Sequence, residues 1–174
     1  MAIKKSIWVL LGILVISAWI LGSPIQVGAE IMNFKLYTYV TKEESVPIDD
    51  MAGHGVRFRL RGSFYAFENG EVATARTVSL EDFIKGSGSF MTYSTITFAD
   101  GSTIIVKGQG TFGGTSAGTL PSGGWTSEII KGTGRFEGIK GTLTSKAKYL
   151  PVEKGEAGPK GYGEGTLTFT PPSK

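Results

Sequence analysis

The stretch His54-Gly55-Val56-Arg57-Phe58-Arg59-Leu60-Arg61-Gly62-Ser63-Phe64-Tyr65-Ala66-Phe67 decides the fold, together with the Glu68-Asn69-Gly70 and Val72–Leu80 that follow it. Arg57, Arg59 and Arg61 alternate with Val56, Phe58 and Leu60, the period of two of a half-buried strand. Asn69-Gly70 is a hairpin signal, because both central turn residues must tolerate positive φ. Val72 to Leu80, rich in Val and Thr, is the return strand. Working outward, Phe90–Phe98 is aromatic and β-branched, Asp100-Gly101 marks a second hairpin, and Thr103–Val106 opens the strand after it. Asn33–Thr41, Trp125–Lys131, Thr142–Leu150 and Tyr162–Thr170 complete a count of eight. Gly113–Gly124 and Glu153–Gly161 read as loops, and only Ser79–Lys85 offers a short helical turn. Eight strands joined mostly by short turns predict an all-β, closed, antiparallel barrel, which removes exposed edges.

Composition supports that reading and narrows the chemistry. Of 174 residues, 26 are glycine, about 15% against a usual ~7%. Gly108, Gly110, Gly132, Gly134, Gly138, Gly141, Gly163 and Gly165 are explained by barrel bulges and corners rather than by phosphate binding. No helix follows Gly132-Thr133-Gly134, so it is not a dinucleotide fingerprint. Cysteine is absent and His54 is the single histidine. That excludes thiolate chemistry and multi-histidine metal sites; no cofactor or metal is expected.

Residues 1–29 read as a signal peptide. Lys4-Lys5 precede an uncharged apolar run from Ile7 to Leu21, Pro24 breaks it, and small residues end at Ala29. The alternative is an uncleaved membrane anchor over residues 7–25, the chain's sole expected link to a membrane. Residues 30–174 then form one exported domain, periplasmic or secreted. Without Lys4 and Lys5 the 18 basic residues fall to 16 against 15 acids, a net charge of +1. That balance, with the basic residues dispersed, argues against nucleic acid as a partner.

The run Ile130-Lys131-Gly132-Thr133-Gly134-Arg135-Phe136-Glu137-Gly138-Ile139-Lys140-Gly141 resembles the allene oxide cyclase and dirigent barrel superfamily. There a G-x-G-x-[FY]-x-G-x-x-G run precedes the penultimate strands. A looser likeness extends from Asn33 to Thr170, and the chain looks like a bacterial member of that group. The resemblance implies a closed eight-stranded, calycin-like barrel, often trimeric, with a cavity for a small hydrophobic molecule. In the plant cyclases such a cavity holds an unsaturated fatty-acid epoxide; dirigent members steer phenoxy radical coupling or related cyclisations. Both work chiefly by holding a reactive substrate in shape. The plant cyclases carry a pocket cysteine that this chain lacks, so cyclase activity is not carried over.

Several residues are candidates for chemistry. His54, between two glycines, is a conceivable general base, although a plain loop histidine is the simpler reading. Tyr65, Tyr93 and Glu128 fall on separate strands and could form an acid–base set around a cavity if burial raised the glutamate pKa. The simpler reading there is strand packing for the tyrosines and exposure for Glu128. Phe58, Phe98, Trp125 and Arg59 are ligand-binding candidates. Charge belongs outside by default, so Arg57, Arg59 and Arg61 are read as the outer face of their strand. Turned inward, they would favour a carboxylate or another anion. Val56, Phe58 and Leu60 need cover, either in the lumen or against another subunit. Glu43, Glu44, Asp49 and Asp50 match no calcium-loop spacing and read as a solvated acidic loop. Three functions remain in play: a carrier of a lipophilic ligand, a cyclase or isomerase, and a structural envelope protein with a filled barrel.

Overall fold

The computed structural model describes residues 28–114 and 120–171. The segment read as a signal or anchor lies outside them, apart from Gly28 and Ala29. Eight strands close into one antiparallel barrel in sequence order: β1 (Glu30–Pro47), β2 (His54–Phe67), β3 (Val72–Ile84), β4 (Ser87–Phe98), β5 (Thr103–Gly113), β6 (Ser122–Gly132), β7 (Lys140–Tyr149) and β8 (Lys160–Thr170). β1 pairs with β8 from Glu30↔Phe169 to Tyr39↔Lys160, which seals the sheet. Among the described residues, no helix is long and apolar enough to cross a membrane.

The hairpins form where the sequence places them. Gly70 (φ 87°) and Gly101 (φ 82°) take the left-handed turn positions. The Asn69 and Asp100 side chains accept hydrogen bonds from the backbone N–H two residues on, each at 3.0 Å. Ser79–Lys85 is not a helical turn, because β3 runs extended to Ile84. Its alternation of Ser79 and Glu81 inside with Leu80 and Asp82 outside is strand periodicity.

The lumen has two halves. At one end, β1, β2, β4, β5, β7 and β8 send Phe34, Leu36, Tyr65, Phe67, Ile96, Phe98, Ile104, Val106, Leu143, Leu167 and Phe169 into a packed apolar core. Phe67 stacks on Phe98 at 5.4 Å, and Phe98 meets Phe136 at 4.7 Å. Phe136 comes from a one-turn 3-10 helix, Gly134–Phe136, inside the glycine-rich run. Gly134 (φ 61°) lets that run fold under the barrel as a floor. Arg135 seals its outer side, bridging to Glu71 at 2.5 Å and Asp100 at 3.4 Å. Burying each phenyl ring stabilises the fold by about 1.5–3 kcal/mol.

Backbones approach closely on β8. A Cβ added at Gly163 would stand 2.1 Å from the Lys146 carbonyl oxygen, an atom fixed in the ladder. Gly163→Ala is therefore expected to cost about 1–3 kcal/mol. A urea unfolding midpoint equal to wild type would show that the strand spacing is looser than this.

Candidate functional site

The arginines face the lumen, which corrects the outward reading. β2 runs without a break from His54 to Phe67, so its parity is fixed along its length. Ser63, Tyr65 and Phe67 point inward, and Arg57, Arg59 and Arg61 must do the same. Val56, Phe58 and Leu60 consequently lie on the outer wall. The default of charge outside loses here because two carboxylates meet the guanidinium groups inside.

One is Glu81, whose side chain is 3% exposed. It accepts hydrogen bonds from Arg57 Nη2 (2.7 Å), Arg59 Nη1 (3.1 Å) and Arg61 Nη2 (3.2 Å), and from Ser79 Oγ (3.3 Å). The other is Glu43, which accepts from Arg59 Nε at 2.5 Å and lies 3.8 Å from Arg57. Glu43 reaches the interior through a bulge. The β1–β2 register slips between Val40 and Lys42, so Glu43 pairs with Arg59 while Lys42 and Glu44 turn outward. Glu43 and Glu44 are thus strand residues, not part of an acidic loop. Burial alone would push the Glu81 pKa up. The charges of Arg59 and Arg61, and the hydrogen bond from Arg57, outweigh it and hold the carboxyl below its ordinary value.

Above the packed core lies a cavity of about 560 Å³. The arginine–glutamate cluster, with Ser63, Thr77 and Ser79, makes one wall. Phe90, Phe112, Trp125 and Tyr149 make an aromatic wall, and Tyr65 lies at the base. The mouth is rimmed by Leu120, Pro121, Leu150, Pro151, Val152 and Pro159. Arg57 stands over the Phe83 ring at 4.6 Å and Arg61 over Tyr149 at 5.7 Å. Burial pushes the Tyr65 hydroxyl up to about 12 and also raises Tyr149, so both stay protonated near neutrality. Three guanidinium groups face two carboxylates, leaving one positive charge over. Arg61 Nη1 is buried and has no hydrogen-bond partner among the described residues.

The sequence candidates are only partly brought together. Arg59, Tyr65 and Trp125 line the cavity. Phe98 belongs to the packed core beneath it. Phe58 lies on the outside, and so do Tyr93, 43% exposed, and Glu128. Tyr65, Tyr93 and Glu128 therefore form no acid–base set, because Tyr65 faces in and the other two face out. His54 sits outside the cavity, at the mouth end of β2. Its Nδ1 lies 2.5 Å from Asp50 Oδ1 and its Nε2 3.0 Å from Asp82 Oδ1. Sequence reasoning missed Glu81, Phe90, Phe112 and Tyr149. The signal for Glu81 was its shared parity with Thr77 and Ser79, two polar side chains already inside.

The fold is a closed eight-stranded antiparallel barrel whose upper lumen is open. The chain is similar to two solved proteins, "the pterocarpan synthase dirigent protein PsPTS1" at 14% identity and "the pterocarpan synthase dirigent protein GePTS1" at 16%. The alignments cover 84% and 86% of this chain, and 97% and 96% of those chains, with TM-scores of 0.47 and 0.45. Both are dirigent proteins, and neither speaks for the allene oxide cyclases. No family model and no curated protein matches the chain.

Two predictions follow from this geometry. Glu81→Gln should cost about 3–5 kcal/mol at neutral pH, the usual loss when one partner of a buried ion cluster is removed. Glu81 has a depressed folded pKa, so its contribution is complete above the unfolded value of about 4.3 and is lost as pH falls through the folded one. Denaturant unfolding of both proteins should show the gap closing on acidification; a gap independent of pH would contradict the cluster. For His54, the hydrogen bond to Asp50 raises the pKa, burial opposes it, and Asp82 raises it further. Its stabilising effect is complete below about 6.5 and is lost as pH rises through the higher folded value. NMR titration of this single imidazole should give a midpoint above 6.5 that drops in Asp82→Asn.

Proposed function

We propose that the barrel binds, in its upper lumen, a small molecule with an apolar or aromatic body and one anionic group, and holds it in a fixed orientation. The observation that carries this reading is the uncompensated positive charge on a buried arginine wall, facing an aromatic wall across about 560 Å³. Burying a net charge is costly unless it is paired. A carboxylate or sulfonate seated on Arg61 supplies the missing partner and satisfies Nη1. Phe90, Phe112 and Trp125 then face the apolar body, and the Leu, Pro and Val side chains at the mouth leave it an apolar way in. The volume lies within the usual 300–1,000 Å³ of small-molecule sites.

Any reaction carried in this cavity would rest on shape and charge. Glu81 is held ionised and is a poor proton donor, and both tyrosines hold their protons tightly. What remains is proximity, orientation and the stabilisation of developing negative charge by Arg61. A purely structural envelope role fits less well, since the upper half of the lumen is not filled by its own side chains. The N-terminal segment, read as an export signal, supports a site of action outside the cytoplasm.

Two fluorescent probes test the reading. 1-Anilinonaphthalene-8-sulfonate is an aromatic anion, and N-phenyl-1-naphthylamine is its neutral counterpart. The sulfonate should bind more tightly. Arg61→Met should weaken it about tenfold or more, as loss of one charge-assisted hydrogen bond does, with little change for the neutral amine. Equal binding of both probes, unaffected at Arg61, would sink the anionic reading. No fluorescence enhancement with either probe, or binding of both unchanged when Trp125→Glu alters the aromatic wall, would sink the cavity reading itself.

A further inference from the structure

We propose that the outer face of β2–β3–β4 is an interface between two copies of this chain, related by a two-fold axis that runs across the strands. The outer wall over β2, β3 and β4 is markedly aliphatic, unlike the tyrosine-rich row of Phe64, Tyr37 and Tyr162 on the β2–β1–β8 side. Phe58, Leu80 and Met91 stand side by side in one cross-strand row, and Leu60, Val78 and Tyr93 stand in the next. Leu80 is 54% exposed and Val78 41%. Beyond Met91 the row turns polar, with Gln109, Thr126 and Thr144 next in line on β5, β6 and β7. A contiguous apolar patch on a soluble barrel marks an interaction surface.

The charges around the patch identify the occupant. On β3 the outward order is Arg76, Val78, Leu80, Asp82, with an arginine at one end and an aspartate at the other. Arg76 makes no ion pair among the described residues. On β1 the two rows end on Glu44, beside Phe58, and Lys42, beside Leu60. A two-fold axis lying in the interface and crossing the strands between the rows reverses each strand over its own copy. Leu80 then meets the partner's Val78, Phe58 meets the partner's Leu60, and Met91 meets the partner's Tyr93. The same operation sets Arg76 against the partner's Asp82, which within its own chain meets His54 at 3.0 Å. It also sets Lys42 against the partner's Glu44, so the Lys42–Glu44 pair of one chain, at 2.7 Å, faces its two-fold mate head to tail. An axis along β3 would instead face Lys42 with the partner's Lys107, since Lys107 flanks Tyr93 on β5. The charge pattern selects the crossing axis, and it is self-complementary, as a two-fold contact requires. The resemblance read from the sequence implies trimers; this surface calls for a two-fold pair.

The oligomeric state of the full chain tests the proposal, by light scattering over a concentration series. A mass of two chains is expected at high concentration. Leu80→Glu should give a monomer with an unchanged far-ultraviolet spectrum. Lys42→Glu and Glu44→Lys should each weaken the dimer about tenfold, because each sets like charges face to face. The double variant Lys42→Glu/Glu44→Lys should restore it to within about threefold. Both positions are exposed strand residues, so the charge cycle stays informative if Leu80→Glu fails to fold. A monomer or trimer at all concentrations, or a double variant no tighter than the singles, would overturn the interface.

Discussion

Glu81 is one carboxylate holding three guanidinium groups inside a barrel, and much of the molecule's character follows from that arrangement. Four long charged side chains occupy space that aliphatic residues would otherwise pack. They are fixed by mutual hydrogen bonds between adjacent strands, with Ser79 as a further donor. Such a cluster adds little net stability over a well-packed apolar alternative, but breaking it is expensive. It therefore acts as a lock on strand parity. With Arg59 inside, Phe58 and Leu60 must be outside, and the apolar outer wall is the other side of the same constraint.

The barrel's two ends divide the work. The lower half is ordinary protein interior, closed by Phe136 and the glycine-rich run, and it supplies most of the apolar burial. The upper half is polar, aromatic and partly empty. This separation places stability in one half and leaves the other half open to the ligand we propose. The run that carries the family resemblance lies at the floor, so it reports on how the barrel closes rather than on what the barrel holds.

Much of the architecture was legible in the sequence because it is local. The β2 limits, His54 and Phe67, follow from alternation and the Asn-Gly turn alone. Face assignment was not legible, because β2 alternates equally well in either phase. The phase is decided by Ser63, Tyr65 and Phe67 at its far end, and by Glu81, which lies 20 residues or more along the chain from each arginine. Glu43 was hidden for another reason. A one-residue bulge after Val40 reverses the parity of the rest of β1, and no residue type there announces it. The proposed set of Tyr65, Tyr93 and Glu128 failed on the same point, since strand membership without phase does not say which side chains meet.

The account stands on the inward arginines, and their Nε–H protons report on them directly. Arg57 Nε donates to Glu81 at 3.0 Å and Arg59 Nε to Glu43 at 2.5 Å. Nitrogen-15 NMR of arginine side chains at mildly alkaline pH should show these two Nε–H groups exchanging slowly with water. The Arg57 proton should also show through-space contact to the Phe83 or Phe112 ring. Rapid exchange of every arginine side chain, as on an open surface, would contradict the buried cluster.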